Sequence, residues 1–396
     1  MEYTYPSYYK KFFCTADQCP DTCCAGWGIA IDNATLRKYK KAKKELGAFG
    51  NRLHNSIDWT DQSFYQHDKR CIFLNDQNLC DMVLEAGEEY LCKTCRRYPR
   101  HYEEFENLRE VLLSLSCPEV AKILFELQEK VTYKTVEQER EQTEEYEFFD
   151  FLLFTKLQDL REVFREIFQK RELSVSERKA YVLAMAHDMQ TCIQKQELFG
   201  IDDILDKCEK EQTWTFARKK WSVYQHRETE RRYLLQCMFR EFDALEVLNP
   251  EFIASVREST EFLYQQMTED AYLKAREAFY KAGEDLPLIQ EQLLVYFLYS
   301  YLCGAVYDED VFSKVKLAVV HTTLIMELFL ANWVKKGAVD NENLGKIRLT
   351  LEEKVDIAHR YAREIEHSDP NLVAVETFMK EKNCFDFSNL MIAVLN

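Results

Sequence analysis

The chain has 396 residues, with 68 Asp and Glu against 52 Lys and Arg and a formal net charge of −16. So acidic a balance argues against nonspecific nucleic-acid binding, which depends on neutralising phosphates with cations. With 10 Gly and 7 Pro, the chain has too few turn formers for a fold of many tight hairpins, and its Leu, Glu, Lys and aromatic content favours helices.

The opening Met1-Glu2-Tyr3-Thr4-Tyr5-Pro6 is polar and aromatic. It lacks the charged and then apolar pattern of a secretory leader, so a cytoplasmic location is expected. In that compartment clustered cysteines bind metals more often than they form disulfides. The first cluster follows at once: Phe12-Phe13-Cys14-x4-Cys19-Pro20-Asp21-Thr22-Cys23-Cys24-Ala25-Gly26-Trp27. Pro20 and Gly26 suit a segment that wraps around a point. Adjacent Cys23 and Cys24 point in different directions on an ordinary backbone, so they serve different metals or one of them packs. Asp32 is a plausible N-cap for a short helix carrying Leu36, and the basic run 37–44 reads as its solvated face.

Cys71, Cys80, Cys92-x2-Cys95-Arg96-Arg97-Tyr98-Pro99-Arg100 and Cys117-Pro118-Glu119 complete the set. Nine of the fourteen cysteines thus fall within the first 117 residues. Thiolates are the soft ligands that zinc and iron–sulfur clusters select, and both centres accept four of them. Counting does not separate the two. The remaining five, Cys192, Cys208, Cys237, Cys303 and Cys384, read as small buried apolar residues. His54, His67 and His101 lie among the early cysteines but in no Cys/His finger spacing. A thioredoxin-like role for Cys92 and Cys95 lacks a surrounding βαβ pattern.

After Cys117-Pro118 a helical period takes over. Leu153, Leu157, Leu160, Phe164 and Ile167 follow an i, i+4, i+7 course, and similar patterns cover about 180–196, 249–282, 350–367 and 371–382. Asn249-Pro250, Gly283, Gly337 and Asp369-Pro370 punctuate them. Residues 293–307 are uncharged, and 317–333 are apolar around His321 and Glu327. Both fall short of the roughly 18–20 uninterrupted apolar residues of a membrane span and read as central helices of a core. The expected fold is mainly α, with an irregular cysteine-rich metal-binding N-terminal domain (1–119) followed by an all-α domain (120–396).

The motifs Cys14…Cys19-x2-Thr22-Cys23-Cys24-x-Gly26-Trp27, Cys71-x-Phe73-Leu74…Cys80, Gly87-Glu88…Leu91, Cys95-x2-Tyr98-Pro99-Arg100 and Leu113-Ser114-x-Ser116-Cys117-Pro118-Glu119 resemble those of the flagellin lysine-N-methylase family. The cysteine-rich part also resembles a broader zinc- or iron-chelating domain family. The likeness covers about the first third of the chain, and the aromatic run 292–299 is similar to the family's C-terminal region. It implies a cytoplasmic enzyme that moves methyl groups from S-adenosylmethionine to lysines of flagellin, with a [4Fe–4S] cluster and no nucleic-acid or membrane partner. By the same resemblance the metal ligands come from Cys14, Cys19, Cys23, Cys24, Cys71, Cys80, Cys95 and Cys117. Cys92 stands outside the pattern. Eight ligands exceed the four of one cluster, so either two sites exist or several cysteines pack around one.

The residues themselves say less about methyl transfer. Gly26-Trp27-Gly28 is the only G-x-G, so a dinucleotide-type glycine turn is absent. The C-x3-C-x2-C triplet of radical enzymes is absent as well. Lysine methylation needs a neutral amine in line with the sulfonium carbon. Aromatic faces hold a sulfonium cation, which makes Trp27 and Tyr98 donor-binding candidates, and Arg100 suits a bidentate grip on a carboxylate. The alternative is that Trp27 and Tyr98 pack beside the metal while Arg100 balances thiolate charge. Glu88 and Glu119 are candidate bases or ordinary surface and capping carboxylates. A competing function is a noncatalytic zinc-binding protein whose acidic helical body docks a partner. A thiol sensor using Cys92 and Cys95 is a third.

Overall fold

The structure, a computed structural model, describes residues 1–138, 149–208, 210–338 and 347–396. Its apolar residues gather in two separate clusters. The larger runs from Tyr8 and Phe12 through the strands and all the long helices to Val394. The smaller is made of twelve buried residues between Ile29 and Cys92. The boundary expected at 119/120 falls within helix Pro118–Glu126, whose buried side belongs to the larger cluster.

The fold is mainly α, as the composition predicted. Helix Val311–Trp333 runs through the centre with almost every side chain buried, beside Leu286–Tyr301, whose residues from Ile289 to Tyr299 are all buried. By length and composition the stretch Val311–Gly337 would suffice to cross a membrane, but here the rest of the body covers it. Its one acidic residue is paired: Arg231 reaches Glu327 at 2.7 Å, and Tyr264 and Tyr272 donate to the same carboxylate at 2.9 Å each. A buried charge persists only with such partners. His321 is held by Tyr361 OH at 2.8 Å.

The expected periodic segments form helices Phe151–Phe168, Val175–Gln194, Leu351–Glu366 and Asp369–Glu381. The stretch expected over 249–282 is divided. Pro250–Glu261 ends in a wide turn at Phe262–Gln266, and the Thr268 side chain accepts from Ala271 N to start Glu269–Ala282. A local hydroxyl cap thereby overrides the continuous apolar period.

The sequence reading anticipated no sheet, yet the N-terminal third contains one. Strands Arg100–Phe105, Leu108–Leu113, Glu2–Pro6 and Tyr133–Glu137 lie side by side in that order, and only the middle pair is parallel. Leu108–Leu113 is buried along its whole length. Its Arg109 is neutralised by Glu104, and its Glu110 accepts two hydrogen bonds from Arg161, one of them at 2.7 Å. Buried on both faces, this strand loses the alternation that marks a strand in sequence. The sheet joins the N-terminus to the helical body and leaves residues 14–97 to fold as a lobe upon it.

Candidate active site

In the lobe, short-range backbone pairing draws distant cysteines together. Cys71 N donates to Cys24 O at 2.8 Å, and Gly26 N donates to Lys69 O at 2.8 Å. Gly26 has φ +88°, a left-handed conformation that glycine adopts without strain. Asn75 Oδ1 accepts from Gln77 N and Leu79 N, closing the loop that returns Cys80 beside Leu74. Cys92 precedes helix Lys93–Arg97, and Cys95 follows one turn later on the same face.

Two hydrogen-bonded thiol groups result. Cys24 is bonded to both Cys23, with Sγ atoms 3.8 Å apart, and Cys80. Cys92 is bonded to Cys95. Cys71 lies close enough to both groups to feel their charge. The hydrogen bond with Cys24 lowers Cys80, against burial. The Cys24 hydrogen bond likewise lowers Cys23, and the Cys95 hydrogen bond lowers Cys92. Burial pushes Cys71 up to about 11 and Cys117 up to about 12. Although solvent reaches Cys23, protein surrounds it on most sides.

The eight cysteines expected as ligands therefore do not converge equally. Cys23, Cys24, Cys71, Cys80 and Cys95 share one neighbourhood, which also contains Cys92. Cys14, Cys19 and Cys117 form a looser group whose electrostatic link to the first runs through Cys23. In chemistry this soft, proton-sharing donor set fits a thiolate-bound centre. Around a tetrahedral zinc with bonds of about 2.3 Å, sulfurs stand about 3.8 Å apart, the separation of Cys23 and Cys24. A closed shell is another matter: among the described residues, no group of three or more His, Cys, Asp or Glu side chains is arranged to hold a metal ion.

Helix Leu351–Glu366 of the body anchors this lobe. Arg363 donates to Asp21 Oδ2 at 2.7 Å, to Thr22 O at 3.1 Å and to Ser116 O at 3.3 Å. His359 Nε2 lies 3.0 Å from the same Asp21 oxygen. Burial opposes ionisation of Asp21, but the His359 hydrogen bond and the Arg363 guanidinium outweigh it and hold the carboxyl well below the usual range. Beside this seam Trp27 donates to Cys23 O at 2.8 Å, and its ring lies 4.5 Å from His367 and 6.0 Å from Tyr98.

Trp27, Tyr98 and Arg100, the three donor-binding candidates, all line one cavity of about 560 Å³, within the usual size of a small-molecule site. Tyr296, Tyr299 and Tyr301 extend its aromatic wall. Arg100 is aimed by Tyr9, whose hydroxyl accepts from its Nε at 3.1 Å, and its guanidinium lies 5.3 Å from the Phe12 ring. Among the wall's carboxylates, Glu103 meets His101 at 2.5 Å, Glu376 meets Lys314, and Glu110 meets Arg161. Glu366 differs. Tyr296 OH donates to its Oε1 at 2.9 Å and Ser114 Oγ to its Oε2 at 2.6 Å, and among the described residues no Lys, Arg or His forms an ion pair with it. Ser116 Oγ joins this group to His367 Nε2 at 2.8 Å and to Tyr98 OH at 3.2 Å. His367 Nδ1 is buried without a partner, and burial pulls the ring down to about 3.

Neither Glu88 nor Glu119 reaches the cavity; Glu88 is exposed and Glu119 sits in the first turn of Pro118–Glu126. The sequence reading missed Glu366 and His367, which end an ordinary amphipathic helix and carry no motif. Ser114 and Ser116 did lie in a quoted motif, Leu113-Ser114-x-Ser116-Cys117, where only the cysteine drew notice.

Fold and site together define a mainly α protein that sets a cysteine-rich lobe against an aromatic, carboxylate-lined cavity. The chain belongs to the FliB lysine N-methylase family: the family's C-terminal domain matches residues 161–393, more than half of the sequence. It is 30% identical over 123 residues to a protein of Salmonella typhimurium named Lysine-N-methylase, covering 30% of this chain and 31% of that protein. It is 32% identical over 123 residues to a Salmonella muenchen protein named Flagellar biosynthetic protein FliU, covering 30% of this chain and 73% of the relative. The match thus spans less than a third of the length of the first of these relatives. No solved structure matches the chain.

Proposed function

We propose that the chain is a cytoplasmic protein lysine N-methyltransferase that uses S-adenosylmethionine, acts on flagellin and carries a cysteine-bound [4Fe–4S] cluster. Family membership supports the lysine methylation, and the relatives' names support a flagellar substrate. The observation that carries the reading is the cavity of about 560 Å³ beside the cysteine lobe, whose lining includes Trp27, Tyr98 and Arg100.

Trp27 and Tyr98 would face the sulfonium of the donor and Arg100 its carboxylate. When bound, the donor supplies an electrophilic methyl carbon. The aromatic rings favour a cationic side chain, so a substrate lysine would enter along them. No glycine-rich strand-to-helix crossover is present among the described residues, and the single parallel strand pair lies in a small sheet. Donor binding is therefore assigned to the cavity rather than to a dinucleotide-type fold. The cluster's ligands would come from the set Cys14, Cys19, Cys23, Cys24, Cys71, Cys80, Cys95 and Cys117, with Cys92 added through its bond to Cys95. When bound, it would supply a charged, redox-capable centre beside the cavity. The 3.8 Å separation of Cys23 and Cys24 favours zinc as the second reading of the metal.

Anaerobically purified protein should be brown and contain iron, and flagellin co-expressed with it should gain methyl groups on lysine by mass spectrometry. A colourless, iron-free protein with full activity would remove the cluster from the proposal. Iron-loaded protein that binds S-adenosylmethionine but leaves flagellin unmodified would remove the substrate.

A further inference from the structure

Of the cavity's wall carboxylates, Glu366 is the one that forms no ion pair among the described residues, although the His101 ring acts on it electrostatically. Glu366 ends helix Leu351–Glu366 and opens into the cavity, so it keeps partial solvent exposure although protein encloses it on every side. Its hydrogen-bond donors, the Tyr296 and Ser114 hydroxyls and the Ser116 backbone N–H, are neutral. Leu115 N donates to Tyr296 OH at 2.9 Å, which leaves the Tyr296 proton for Glu366 Oε1. Ser114 occupies one position on the other oxygen. A carboxylate offers about four lone-pair sites, so these three donors leave one for a group arriving in the cavity. The other wall carboxylates already meet His101, Lys314 or Arg161.

We infer that Glu366 is the acceptor for the substrate's lysine ammonium, holding it by a charge-assisted hydrogen bond and taking its proton. This rests on the methyltransferase reading above and adds a catalytic residue to it. The proton passes from lysine Nζ to a Glu366 oxygen, so that ammonium and carboxylate become neutral amine and neutral acid. The neutral amine is the form with a lone pair for methylation. Tyr296 and Ser114 act as positioning residues by fixing the plane of the carboxylate. The groups facing Glu366 are Tyr8, Tyr296 and Tyr301, the His101 ring, and Ser114 and Ser116; His367 follows it in the chain and joins the same hydrogen-bond chain through Ser116. Burial raises the Glu366 carboxyl, and the Ser114 and Tyr296 hydrogen bonds, the His101 charge and the Ser116 N–H only partly offset this. A carboxyl moved upward is better matched to accept a proton near neutral pH.

The test measures binding without the methyl donor. Full-length protein is titrated by calorimetry with a flagellin-derived peptide containing one lysine, and with the same peptide carrying norleucine there. The wild type should prefer the lysine peptide by about tenfold or more, the scale of one charge-assisted hydrogen bond. Glu366→Gln should abolish that preference, and Glu366→Asp should restore part of it. The preference should also fade on acidification at a higher pH than an ordinary carboxylate would give, and Tyr296→Phe should shift that midpoint. If Glu366→Gln perturbs folding by circular dichroism, Tyr296→Phe and Glu366→Asp carry the test. Unchanged discrimination in a folded Glu366→Gln protein that still methylates flagellin would overturn this inference and leave the methyltransferase reading intact. A wild type that neither discriminates the peptides nor methylates flagellin would overturn that reading itself.

Discussion

The cysteine lobe and the helical body bury apolar surface on very different scales. The body has long amphipathic helices around two almost fully buried ones. The lobe has a core of twelve buried residues, two of them cysteines, and its regular elements are short. A core that small is marginal by itself. What holds the lobe is polar: the long-range Arg363–Asp21–His359 seam, the local Asn75 loop and the paired thiols. A region built this way depends on its anchor and on whatever its sulfurs bind.

The largest effect should come from attacking the sulfurs. Treating metal-loaded protein with a strong chelator should expose residues 29–95 to limited proteolysis while the helical signal and the protection of helices Leu286–Tyr301 and Val311–Trp333 persist. Simultaneous loss of both regions would mean that the lobe and body are one cooperative unit. Matched core truncations sharpen the comparison. Phe329→Ala in the body and Phe73→Ala in the lobe, both fully buried, should each cost about 3–5 kcal/mol. The first should lower the Tm of the main transition, whereas the second should raise hydrogen exchange only within the lobe.

A smaller effect is predicted for pH. Burial holds His321 down to about 3, below its ordinary value of about 6.5. The unfolded chain therefore binds the proton more readily, so this contribution is complete above about pH 6.5 and is lost as pH falls toward 3. Between those limits it changes by up to about 1.4 kcal/mol per pH unit. Denaturant titrations of His321→Gln should show a shallower pH slope than the wild type, and equal slopes would place the titration elsewhere.

The body was largely legible in advance because its helices carry periodic apolar faces and local stop signals. Asp150, Ser174 and Thr350 cap helices whose buried faces follow the expected period. The sheet was not legible. Leu108–Leu113 is buried on both sides and so shows no alternation, and beyond its hairpin neighbour Arg100–Phe105 its other partner, Glu2–Pro6, lies more than a hundred residues away. The cysteines were conspicuous as a set, but their grouping was hidden. Cys92, set aside from the pattern, pairs with Cys95, while Cys14, Cys19 and Cys117 gather apart from the main group.

Helix content, the central buried helices and the chemical character of the N-terminal third follow from residue type and near-neighbour spacing, which act over a few residues and can be read directly. Which rings face Trp27, which carboxylate is left without an ion pair, and which sulfurs share protons depend on contacts such as Ser114 with Glu366 and Asp21 with Arg363, hundreds of positions apart. Such pairs have no local signature. Their energies arise only once packing has excluded water and fixed both partners, so the tertiary structure alone decides them.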